Sequence, residues 1–125
     1  MPSIKNTAAT LPAKDIARAR GFYEGTLELK VELENPGGVM YRAGDGQVFV
    51  YPSEFAGTNR ATAATFEVDD IEATVQELRG KGVTFEEYDM PMLKTENGIA
   101  DLEGDRGAWF KDPEGNIISL IQRGA

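Results

Sequence analysis

Thr7-Ala8-Ala9-Thr10-Leu11 and Thr62-Ala63-Ala64-Thr65-Phe66 are nearly the same stretch written twice, and an Asp-Ile pair closes each copy, Asp15-Ile16 and Asp70-Ile71. The offset is 55 residues throughout. A second ungapped match joins Tyr41-Arg42-Ala43-Gly44-Asp45-Gly46-Gln47-Val48-Phe49 to Phe110-Lys111-Asp112-Pro113-Glu114-Gly115-Asn116-Ile117-Ile118. Its offset is 69, so the second copy carries 14 extra residues between its halves. The chain reads as a duplicated module, and function is expected where the two copies face each other.

Outward from these stretches, each copy spells the same order of elements. Residues 5–11 read as a strand of small and β-branched residues ahead of Pro12. Asp15 reads as a helix start, with Ile16, Ala19, Phe22 and Tyr23 on one face and Gly25 as the stop. Strands follow at 29–34, 39–43 and 47–51, parted by Asn35-Pro36-Gly37-Gly38 and Gly44-Asp45-Gly46. In the second copy, 63–68 is a strand, and Asp69 with Glu72 resembles a capping box. Ile71, Val75 and Leu78 form a buried helix stripe, and Gly80 and Gly82 stop it. Strands are then expected at 83–87, 106–111 and 116–122. Residues 90–103 read as an irregular insertion of the kind that forms lids or pocket walls. The expected organisation is a single domain over 1–125, with module one at about 4–52, a linker at about 53–61 and module two at about 62–122.

Alternation assigns faces. Ala64, Phe66 and Val68 suit packing on the second helix, and Ala63, Thr65 and Glu67 point away from it. By the repeat, Thr7, Ala9 and Leu11 face the first helix, while Ala8 and Thr10 point away. The fold class is α+β: two tandem βαβββ modules whose curved sheets form a cup, with helices outside.

Composition limits what such a cup can do. A chain of 125 residues is expected to bury roughly two-thirds of the surface its unfolded form exposes. Its 41% apolar and 27% charged content is that of a soluble globular protein. A net charge of −8 argues against nucleic acid and membrane as partners, since both need a basic footprint. No apolar run reaches the roughly 18 residues of a membrane span, and the N-terminus lacks the apolar core of a secretion signal. The cytoplasm is the expected location. With zero cysteines, disulfides and thiolate metal sites are excluded; with zero histidines, so are the commonest metal ligand and the usual neutral-pH base.

Paired βαβββ modules resemble the vicinal oxygen chelate superfamily, which includes glyoxalases, bleomycin-resistance proteins and extradiol dioxygenases. The resemblance is carried by Lys14-Asp15-Ile16 leading to Phe22-Tyr23, by Val68-Asp69-Asp70-Ile71-Glu72, and by Phe110-Lys111-Asp112-Pro113-Glu114-Gly115-Asn116-Ile117. It covers the chain from about residue 4 to residue 122. Enzymes of that family hold a divalent metal in the cup, with one ligand from the first strand of each module and one from the last. The matching positions here are Ala8, Ala63, Val50 and Ser119, none of which can hold such an ion against water. The neighbours Thr7, Thr62, Tyr51 and Ile118 are no better. The resemblance therefore implies the cup without the metal, as in bleomycin-resistance-like members, which are dimers that sequester a drug without chemistry.

The candidate ligand-binding residues are Thr10, Met40, Val50, Ala63, Thr65, Glu67, Met92, Trp109 and Ser119. The small side chains at Ala63, Val50 and Ser119 leave space for a ligand, against the bland reading of a filled cup. Thr10 and Thr65 offer hydroxyls, though strand threonines also serve β-propensity alone. Trp109 and Met40, equivalent by the repeat, offer flat and soft walls, against plain core. Met92, with Met90 and Leu93, offers an apolar rim or a dimer interface. Glu67 is the inward carboxylate nearest the cup, against an exposed strand-end residue. Asp112-Pro113-Glu114-Gly115 reads as a turn. No catalytic residue, metal or cofactor is assigned. The expected function is metal-independent binding of a small aromatic or cationic molecule by a homodimer, the alternative being a glyoxalase-like lyase, isomerase or dioxygenase with a relocated metal.

Overall fold

Tyr23 and Tyr41, both fully buried, stack with ring centroids 6.0 Å apart and thereby pin the first helix to the first sheet. The computed structural model describes residues 2–124. It divides into two compact units: the residues up to Thr58 together with Pro113–Asn116, and Asn59–Asp112 together with the residues from Ile117 onward.

In the first unit, β1 (Ala9–Ala13), β2 (Lys30–Asn35), β3 (Gly38–Ala43) and β4 (Gly46–Pro52) form a sheet in the order β1-β4-β3-β2, with β1 parallel to β4. β1 begins later than its composition suggests and runs through Pro12 to a buried Ala13. Thr7 lies outside it and is exposed. An edge strand tolerates proline because one side of its backbone pairs with nothing. Asp15 caps α1 (Ile16–Arg20), its Oδ1 accepting from the Arg18 N–H at 3.1 Å. Gly25 does not end this helix. The chain widens instead into a π segment, Gly21–Thr26, where the Leu27 N–H reaches the Phe22 carbonyl at 2.9 Å. Burial of Tyr23 outweighs the glycine signal, and the turn closes only at Glu28, with φ of 58°. Leu11, Ala13, Val39, Tyr41, Val48 and Val50 form the core of the unit beneath Ala19 and Tyr23.

The second unit is built on β5 (Thr62–Glu67), α2 (Ile71–Gly80), β6 (Asp89–Met90), β7 (Leu93–Glu96), β8 (Ile99–Leu102), β9 (Asp105–Lys111) and β10 (Ile117–Gln122). The sheet order is β5-β10-β9-β8-β7-β6, and β5 is parallel to β10. The cap of α2 is Asp70, not Asp69: its Oδ1 accepts from the Ala73 N–H at 3.1 Å, while Glu72 pairs outward with Arg106. α2 packs on β9 and β10 through Ile71, Val75 and Leu78, and Phe85 meets Phe110 edge-on in the same layer.

Two expectations fail here. Residues 83–87 make a single bridge, Phe85 to Phe110, in place of a strand. The insertion at 90–103 is not irregular. It is a meander of short strands that widens the sheet, joined by the two-residue turns Asn97-Gly98 and Glu103-Gly104, all four residues at positive φ. Such left-handed pairs match the twist of the strands they join.

Candidate functional site

Because the core residues of each sheet face its helix, the residues between them form a helix-free face, and these two faces hold most of the expected site. In the first unit, Thr10, Phe49, Met40 and Leu33 pair in one row across β1, β4, β3 and β2. Tyr51 stacks parallel to Phe49, with centroids 6.2 Å apart. One end of the face is polar: Glu32 receives Arg42 Nε and Gln47 Nε2, each at 2.8 Å. Those bonds, Gln47 first and then Arg42, hold the Glu32 carboxyl below its usual range.

Val50 is not on this face. It is 1% exposed and lies in the core beside Val39 and Leu11. The repeat explains the error. Thr10 sits opposite Phe49, and Thr65 opposite Ser119, so the last strands correspond at an offset of 70. One extra residue in the second turn breaks the ungapped match, and a slip of one residue exchanges the faces of a strand. Phe49 therefore holds the place expected for Val50.

In the second unit, Thr65, Ser119 and Trp109 form one row across β5, β10 and β9. Thr65 Oγ1 and Ser119 Oγ share a hydrogen bond of 2.7 Å, and Ser119 is buried at 7% exposure. Two hydroxyls sharing one bond leave the accepting hydroxyl with a proton of its own to donate. Trp109 is half-buried and meets the ring of Tyr88 edge-on at 5.7 Å. Burial, and secondarily Glu86, raises the Tyr88 phenol above its usual range, so it stays protonated. Its neighbour Glu87 is occupied, accepting from Thr95 Oγ1 at 2.6 Å and from the Gly98 N–H at 3.0 Å.

Each face is shaped by a glycine at the same repeat position. A methyl on Gly107 would lie 3.1 Å from Trp109 Cη2, and one on Gly38 would lie 2.8 Å from Phe49 Cζ. Their absence lets the Trp109 ring lie along β9 and the Phe49 ring lean from β4 over β3. Sequence reasoning finds Trp109 but misses Phe49, Tyr51 and Tyr88. The alternation of Gln47, Phe49 and Tyr51 with Val48 and Val50 carries the signal for the first two.

Thr10, at the edge of the first face, is exposed, its hydroxyl 3.4 Å from the Ala8 carbonyl oxygen. The remaining candidates lie apart. Ala63 falls in the irregularity where β10 shifts register from Thr62 to Ala64. Glu67 is an exposed strand-end residue 4.0 Å from Arg123 Nε. Met92 is 93% exposed on the turn between β6 and β7.

The family's divalent ion does not fit these residues. With the register corrected, its four positions hold Ala8, Phe49, Ala63 and Ser119, whose single donor is a neutral hydroxyl already bonded to Thr65. Among the described residues, no cluster of three or more acidic, His or Cys side chains could hold a metal ion. What the faces do supply is flat apolar area, one spare hydroxyl proton and a carboxylate–guanidinium rim.

Residues 5–120 match the model of the Glyoxalase/Bleomycin resistance protein/Dioxygenase superfamily, and the chain belongs to that superfamily. Among solved structures it is similar to UcmS2, at 18% identity and a TM-score of 0.76, over 96% of this chain and 98% of that one. A lactoylglutathione lyase from Agrobacterium tumefaciens is similar at 18% identity and a TM-score of 0.69, over 98% and 96%. TnmS3, an antibiotic binding protein from Streptomyces sp. CB03234, is similar at 20% identity and 0.66, over 99% of each chain. At such identities the likeness is one of fold. No curated protein matches the chain in sequence. Among the described residues, no helix is long and apolar enough to cross a membrane.

Proposed function

We propose that this protein is a metal-independent binding protein that sequesters a small, flat aromatic compound, neutral or cationic, and works as a cytoplasmic homodimer. The observation that carries this reading is the pair of aromatic groups on the helix-free faces, Phe49 parallel to Tyr51 and Trp109 edge-on to Tyr88, with Phe49 itself at a position where the family's enzymes hold a metal donor. An aromatic ring on a ring gains apolar burial and offset stacking. The hydroxyl pair at Thr65 and Ser119 supplies one directional contact for a carbonyl or phenol oxygen. A net charge of −8 favours cations over anions. TnmS3, similar in fold, is an antibiotic binding protein, which supports a binding role.

Trp109 is the only tryptophan and stands in the row with Ser119 and Thr65, so its emission reports occupancy. Titration with a panel of planar aromatic compounds is expected to give a saturable change in that emission. Silence across the panel would remove the reading. Stoichiometric zinc, nickel, manganese or iron in protein purified without chelators would favour the enzymatic alternative.

A further inference from the structure

On the helix side of the first unit, a recess of about 300 Å³ opens between α1 and the ends of β2, β3 and β4. Ile16, Val39, Pro36 and Pro52 supply apolar walls, and Arg20 and Glu34 supply the charge. Arg20 is doubly committed: its Nε donates to Glu24 Oε2 at 2.7 Å and its Nη1 to Glu34 Oε2 at 2.5 Å. Tyr41 donates to the same Glu24 oxygen at 2.8 Å, so the wall is braced from the core. The π segment places Glu24 for both contacts, and π turns recur at functional positions in proteins.

One guanidinium between two carboxylates leaves a net charge of −1 beside the recess. An anion would meet the two carboxylates that already hold Arg20. A cation can share Glu34 with Arg20, because the side chain is 56% exposed and its Oε1 accepts no hydrogen bond among the described residues while Arg20 keeps Oε2. The geometry points to a second small-molecule site in this recess, taking a compact primary ammonium on an alkyl stem, with the stem on the apolar walls and the cation on Glu34. At interior packing density the volume admits on the order of ten non-hydrogen atoms. This site is separate from the helix-free faces and does not rest on the function proposed for them.

The probes are n-hexylammonium, the neutral 1-hexanol and the anionic hexanoate, titrated into the full chain with methyl groups observed by NMR. Ile16 and Val39 methyls report the recess, and Leu33 and Met40 methyls report the helix-free face. The expected result is saturable movement of Ile16 and Val39 with hexylammonium, weaker movement with hexanol and none with hexanoate. Glu34→Gln is expected to weaken hexylammonium binding about fivefold, as for a partly exposed ion pair, and to leave the hexanol response unchanged. The proposal is overturned by equal responses to all three probes, by no saturable response to hexylammonium, by movement confined to Leu33 and Met40, or by unchanged affinity in Glu34→Gln.

Discussion

Glu114 is the residue whose role departs furthest from its sequence context. It stands in a turn, yet its side chain is 1% exposed. It accepts from the Lys14 N–H at 2.6 Å, the Asp15 N–H at 3.2 Å and Arg18 Nε at 2.7 Å. Burial alone would raise its carboxyl, but Arg18 and the two backbone donors outweigh it and hold the carboxyl below its usual range. Glu114→Gln keeps the size and loses the charge, leaving three donors poorly matched; it is expected to cost about 3 kcal/mol in denaturant unfolding. A carboxyl depressed on folding stabilises in full above its unfolded pKa of about 4.3 and loses that contribution as pH falls through the lower folded value. Acid unfolding of the native chain should therefore steepen below about pH 5, with Glu114→Gln showing a flatter profile. The turn was legible from Pro113 and Gly115; the clamp was not, because its partners lie about a hundred residues away in sequence. Val50 and Phe49 teach a related lesson, since residue identity alone does not reveal an inserted residue that reverses a strand's faces.

At the scale of elements, the duplicated strands, the helix starts and most strand positions follow from local signals that the tertiary structure respects. The meander at 90–103 was hidden because its strands are short and mixed in polarity, although Asn97-Gly98 announces a hairpin turn. That turn is also clamped: Arg79 Nη2 donates to the Asn97 carbonyl at 2.9 Å, and its guanidinium lies 5.6 Å from the Phe85 ring centroid. Gly98 has φ of 81°, and a methyl on it would lie 2.9 Å from Arg79 Nη2. Gly98→Ala is expected to destabilise the chain by about 2 kcal/mol in denaturant unfolding, combining left-handed strain with the crowding. Gly107→Ala makes a different test, because its added methyl meets Trp109 Cη2 at 3.1 Å and Leu102 Cδ1 at 3.0 Å. The indole should lift from β9, seen as red-shifted Trp109 emission and weaker aromatic binding.

For the molecule as a whole, the chain keeps the strand pairing of its superfamily and lacks the donors of the family's metal. Binding measured before and after treatment with a strong chelator should be the same within about twofold, since that ratio corresponds to less than 0.5 kcal/mol. The residue types at the four positions of the family's metal were legible, and the corrected register exchanges Val50 there for Phe49, one non-ligand for another. The aromatic groups of the helix-free faces were half legible, since seeing them required the register as well as the residues. The inclusion of Pro113–Asn116 in the first unit bears on how the protein is made. At synthesis rates of about 5–20 residues per second, the residues up to Thr58 exist for several seconds before Glu114 does. During that interval the start of α1 has its Asp15 cap, but Lys14, Asp15 and Arg18 await their acceptor. The half that is born first is thus completed last, by a turn that belongs in sequence to the other copy.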